Sequence, residues 1–213
     1  MRRRGFTLLE TLIAIALAGF LMVALNTFVF SMGELWGKNT DLRLFDQHVR
    51  AVTRFLEHEL RAAARPPAGV ADAAPIAVKE IRTQSGSTET LLTFELFEGS
   101  RIFNWPDRPL PEVVCSLAVR EGTGLLFLWH SRLEKDFEDQ SPRETLVSPL
   151  VSALSYDYYD TSFKNWKNET QLRRNAQGEY EAPQRLRVKF TYRTRSQEVL
   201  ITLPSVVQGV PAF

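Results

Sequence analysis

Three histidines, one cysteine and a scatter of carboxylates are the groups from which this chain could build a reactive site. His48 and His58 are ten residues apart in a stretch with helical periodicity, three turns along an axis and too far to share a metal. His130 stands alone, and His58-Glu59-Leu60 lacks the second histidine of HExxH. No GxSxG elbow, P-loop or GxGxxG occurs. Cys115, in EVVCSLAV, has no second cysteine to pair with and reads as a buried, inert thiol. Asp157, Asp160, Glu138 and Asp139 follow no known calcium-loop spacing and read as solvated carboxylates. These patterns predict no catalysis, cofactor or metal. The carboxylate that stands out is Glu10, the only charge in FTLLETLIAIALAGFLMVALNTFVF, residues 6–30. A charge at the centre of a membrane helix costs about 2.5–3.5 kcal/mol on insertion scales, so Glu10 needs a partner.

The element that carries Glu10 is long enough to cross a bilayer: 25 residues at ~1.5 Å each span roughly 37 Å. Arg2, Arg3 and Arg4 precede it, which keeps the N-terminus cytoplasmic and exports the chain from about residue 31. The following SMGELWGK offers no small-residue cleavage site, which favours a retained anchor over a secretory signal peptide. The near balance of 26 basic and 25 acidic residues is no nucleic-acid footprint.

Beyond the anchor, Leu42, Phe45, Val49, Val52, Leu56, Leu60 and Ala63 recur every three or four residues, opposite Arg43, Arg50, Arg54, Glu57, Glu59 and Arg61. That is an amphipathic helix whose apolar stripe packs on the chain's own sheet, with a coiled-coil partner as the competing role. Gly33, Gly37 and Asn39-Thr40-Asp41 are candidate breaks, and Pro66-Pro67 a stop. After the small-residue connector 66–75 come β-like runs: IAVKEIRT, TLLTFELFEG, RIFNW, EVVCSLAVRE, GLLFLWHSRL, TLVSPLVSALSYDYYD, QRLRVKFTYRT and EVLITLP. The last two predict a hairpin around Thr194–Gln197, and residues 161–183 read as a long exposed loop. Along the tyrosine-rich strand, Tyr156 and Tyr158 share one face and Tyr159 takes the other. Tyr158, Tyr159, Phe163 and Trp166 are candidate interface residues, with core packing as the competing role.

The basic leader, Gly5, Phe6, a threonine, two leucines, Glu10 and the unbroken apolar helix together resemble the processing signal of type IV prepilins and type II secretion pseudopilins. That resemblance implies an α+β, type IV pilin-like fold: a long N-terminal helix, membrane-spanning then amphipathic, packed on an antiparallel β-sheet head. It implies a leader at 1–5, an assembly helix at 6–30, its amphipathic continuation at 31–65 and a periplasmic head at 66–213. A prepilin peptidase then cuts after Gly5 and N-methylates Phe6. Glu10 pairs with the charged N-terminus of a neighbouring subunit. LVSPLVSALSYDYYDTSFKNW is similar to the C-terminal half of J-type minor pseudopilins. The implied protein is a non-enzymatic subunit of a pseudopilus tip, single-pass in the inner membrane. Its implied partners are the peptidase, other minor and major pseudopilins, the inner-membrane assembly platform, the lipid bilayer, and the secreted substrate or secretin; nucleic acid is not among them. Two other readings stay open: a minor type IV pilin for adhesion, twitching or DNA uptake, and a signal-anchored periplasmic enzyme or binding module.

Overall fold

An apolar stretch uninterrupted by proline folds as one helix, α1 (Leu8–Ala63), which passes Gly33, Gly37 and Asn39-Thr40-Asp41 without a break. The computed structural model describes residues 7–64, 76–83, 86–103, 110–135, 141–175 and 177–204, the side chains of 34–39 excepted. The leader, Gly5, Phe6, the proline stop, the 66–75 connector, Glu138 and Asp139 therefore lie outside the described residues. The chain divides into two compact units, Met1–His48 and Val49–Phe213.

In the first unit the helix from Leu8 to Gly33 has a mean hydropathy of 2.4 and none of it is buried. Leu8, Ile15, Phe20, Met22 and Phe30 all point outward. So wide an apolar surface is untenable in water, and the segment is long and apolar enough to cross a membrane.

In the second unit Val49, Val52, Leu56, Leu60 and Ala63 are all buried, as the three-and-four spacing predicts. Burial of each leucine contributes about 1.5–3 kcal/mol. Leu42, at the start of the same stripe, is exposed. Glu59 departs from the polar side on which the periodicity places it. Standing three residues after Leu56 and four before Ala63, it falls at the stripe's edge and is buried.

The remaining elements form two antiparallel sheets, in keeping with the antiparallel β head that the sequence predicts. The first is a meander of β1 (Ile76–Arg82), β2 (Thr88–Leu96), β3 (Val113–Arg120), β4 (Gly124–Ser131) and β5 (Arg143–Ser148). One face of it, with Leu92, Phe94, Cys115, Leu117 and Phe127, receives α1, the Phe55 ring lying 5.8 Å from Phe127. On the opposite face Leu91, Ala118 and Leu128 are buried together, with Ile81 against them. The second sheet contains β6 (Val151–Asp160), β7 (Asn165–Glu169), β8 (Arg185–Tyr192) and β9 (Arg195–Thr202) in the order β7-β6-β8-β9. The arrangement is α+β, helix first and antiparallel sheets after.

Four sequence expectations are corrected. TLVSPLVSALSYDYYD is two strands, because Pro149 has no N–H for the ladder and the chain turns at Pro149-Leu150 from one sheet to the other. RIFNW contributes no strand in its described part: Arg101 and Ile102 form a turn, and Phe103 is a buried plug whose N–H donates to the Ser100 carbonyl at 3.0 Å. Residues 161–183 are not an irregular loop, since β7 lies within them and Arg174 bridges to Tyr180. The closing hairpin turns at Arg193-Thr194, with Tyr192 paired to Arg195 and Arg193 in the left-handed region at φ 54°. A two-residue loop keeps the ladder paired to its end, which pulls the turn ahead of its expected place.

Candidate functional site

Among the described residues, the site residues that the sequence singles out fall in two regions, each described within its own unit. The first is the start of α1. Thr7 caps the helix: its hydroxyl accepts from the Glu10 N–H at 3.3 Å, while the Glu10 carboxylate accepts from the Thr7 N–H at 3.0 Å and from its hydroxyl at 3.1 Å. This reciprocal arrangement is a capping box, which satisfies backbone donors that a helix start leaves orphaned and puts negative charge at the positive end of the helix dipole. The sequence signal for it is Thr-x-x-Glu directly before an apolar run, residues 7–10. The capping box gives Glu10 neutral donors but no countercharge.

The second region is the outward face of the β7-β6-β8-β9 sheet. Residues directly opposite in an antiparallel ladder share a face, and here the register groups Trp166 with Tyr159, and Asn168 with Asp157 and Arg185. The inner face takes Tyr156, Tyr158, Leu186, Val188, Phe190 and Ile201, all buried. The strand alternation therefore divides the tyrosines as the sequence predicts. Burial pushes the Tyr156 hydroxyl up to about 12.

Tyr158 must be removed from the candidate interface. It is fully buried, its hydroxyl donating to the Glu181 carbonyl at 3.3 Å and accepting from the Arg173 N–H at 3.1 Å. Arg173 lies over its ring at 4.5 Å and pairs with Glu181 at 2.6 Å. Tyr158 thus anchors the segment that leads into β8.

Tyr159, Phe163 and Trp166 remain exposed, at 39%, 74% and 41%. The Tyr159 and Trp166 ring centroids are 5.1 Å apart, and the Arg185 guanidinium lies 3.7 Å from the Trp166 centroid. Asp160 builds the turn between β6 and β7, accepting from the Ser162 and Phe163 N–H groups at 3.0 and 3.1 Å and pairing with Lys167 at 2.7 Å. Those bonds hold its carboxyl below the usual aspartate range, the Lys167 bond foremost. Asp157, the other carboxylate of the run, is buried rather than solvated. It accepts from Asn168 and pairs with Arg187 at 3.0 Å, and Arg187 reaches Glu198 at 3.4 Å.

A family model described as the prokaryotic N-terminal methylation motif matches residues 1–26. The match covers the first 26 of 213 residues and supports a type IV prepilin-like N-terminus. No curated protein matches the chain. The prepilin-like motif implies processing by a prepilin peptidase and pilin-like assembly, and it points to a structural protein rather than an enzyme. Behind the motif, the helix from Leu8 to Gly33 is long and apolar enough to anchor the chain by a single pass through a membrane.

Proposed function

We propose that this chain is a minor pseudopilin, a structural subunit at the tip of the pseudopilus of a type II secretion system. The observation that carries this reading is the methylation motif matched at residues 1–26, with Glu10 at the mouth of an apolar helix. The peptidase cuts after Gly5 on the cytoplasmic side and methylates the new amino group on Phe6. Gly5 presents no side chain at the scissile bond, and the arginines hold the leader at the anionic lipid surface. In the membrane the capping box keeps the Glu10 carboxylate hydrogen-bonded within its own chain. As the helix enters the filament, the charged N-terminus of a neighbour supplies the missing opposite charge in a medium of low dielectric, where an ion pair is strong. The J-type assignment rests on the likeness of LVSPLVSALSYDYYDTSFKNW to the C-terminal half of J-type minor pseudopilins. The head then faces the periplasm and meets other pseudopilins, and the secreted substrate or the secretin.

The deciding experiment is intact mass of the protein produced with and without a prepilin peptidase. Loss of residues 1–5 with one added methyl on Phe6 is expected; a mature chain that keeps Met1 overturns the reading. Deleting the gene then separates the two filament types: loss of protein export with surface pili intact marks a pseudopilin, and the converse marks a type IV pilin.

A further inference from the structure

The outward face of the second sheet has a chemistry that the N-terminal motif does not touch. Across it Trp166 and Tyr159 give an aromatic row on β7 and β6, and Arg185, Arg187 and Lys189 a cationic row on β8. Arg187 is spent, held between Asp157 and Glu198. Arg185 and Lys189 have no carboxylate within ion-pair distance among the described residues. Arg185 instead holds its guanidinium carbon 3.7 Å from the Trp166 ring centroid, a cation–π contact that keeps the group beside the ring. A planar fork of N–H donors pinned beside two half-exposed rings suits a carboxylate with an apolar neighbour. The residue types are those enriched at contact hot spots.

We propose that this face docks an acidic peptide segment of a partner protein, its carboxylates on Arg185 and Lys189 and its apolar side chains on Tyr159 and Trp166. Charge selects the occupant. From Arg185 to Arg195 the chain carries five cations and no acid, although the whole chain is almost neutral. A polyphosphate is a poorer fit, because Asp157 on β6 and Glu198 on β9 flank the cationic row, opposite Arg185 and Lys189, and among the described residues of the row only these two cations are outside an ion pair and would release counterions. The inference is independent of the N-terminal processing reading, and its failure would leave the mass experiment unaffected.

The test is fluorescence anisotropy on the full chain in nanodiscs of zwitterionic lipid. The probes are a short peptide mixing Glu and Asp with Phe, its Gln and Asn counterpart, and a single-stranded oligothymidylate. The acidic peptide should bind at least about tenfold more tightly than its amide counterpart. Arg185→Gln and Trp166→Ala should each weaken it by about tenfold, whereas Lys79→Gln, which removes the same charge from β1, should leave it unchanged. Arg185→Lys keeps the charge without the fork and should fall between. Thermal melts verify that each variant is folded. Equal binding of the two peptides, equal effects of Arg185→Gln and Lys79→Gln, or tighter binding of the oligothymidylate each overturns the proposal.

Discussion

Glu10 has two demands on one carboxylate, a cap within its chain and an ion pair with another, and a single substitution separates them. Glutamine can serve a capping box but carries no charge. Glu10→Gln should therefore leave leader cleavage and membrane insertion intact and abolish filament incorporation; Glu10→Ala should do the same with about 0.5–2 kcal/mol less helix-start stability. Assembly of the glutamine variant at the normal level, read by cross-linking to other pilin-like subunits, would show that the countercharge is not needed. Glu59 makes the same point inside the head. It accepts from the Ser100 hydroxyl at 3.0 Å, and burial raises its pKa above the ordinary 4.5, against the lowering effects of Ser100 and His58. The native state then binds the proton more tightly than the unfolded chain, so stability should fall as pH rises from about 4.5 through the folded value and stay lower above it. Glu59→Gln should match the parent near pH 4 and melt higher at pH 7; a parallel pH profile for the two proteins would remove burial as the cause. The Glu10 cap is legible as Thr-x-x-Glu before an apolar run, whereas the partner of Glu59 is not legible from spacing. Ser100 is 41 residues from Glu59 and meets it only through the fold.

At the scale of elements, the corner between the sheets depends on Gly124. Its φ is +104°, and a Cβ there would lie 2.1 Å from the Ser148 carbonyl oxygen and 2.7 Å from the Pro149 Cα. Since backbone surrounds it, nothing can swing aside. Gly124→Ala should cost at least about 2 kcal/mol, read as a lower thermal midpoint, whereas Gly19→Ala, with open space around a helical position, should cost nothing. Equal midpoints for the two variants would show that the corner is not fixed by this contact. The elements legible in the sequence are those with strong apolar patterning: α1 from Val49 onward, β1, β2, β3, β4 and the β8-β9 hairpin, with β5 and the tyrosine-rich β6 read as one run. β7 escaped because NWKNE has no apolar alternation, and it is held by its ladder to β6, the Asn168 bonds to Ser155 and Asp157, and the Asp160 turn. RIFNW misled in the opposite sense, since one buried phenylalanine in a turn has the composition of a strand.

At the scale of the molecule, the exposed apolar surface is concentrated in one stretch. Between Leu8 and Met32 every large hydrophobic side chain of the helix is exposed, while Val49, Val52, Leu56 and Leu60 on the later part are buried. The same helix thus has two solvents written into it, an all-round apolar segment for lipid and a one-sided stripe for a protein core. This division follows from the sequence, because helical periodicity is absent from the first part and present in the second. It also places the stabilising packing of the head outside the anchor. Deleting residues 1–33 should therefore give a protein that stays in solution without detergent, keeps its near-UV circular dichroism, and melts in one cooperative step with α1 from Val49 still packed on the first sheet. The full chain should need detergent or lipid. If the shortened chain aggregated or lost its near-UV signal while the full chain in micelles kept it, the apolar segment would be part of the folded core instead of an anchor, and membrane insertion would no longer explain why Glu10 sits where it does.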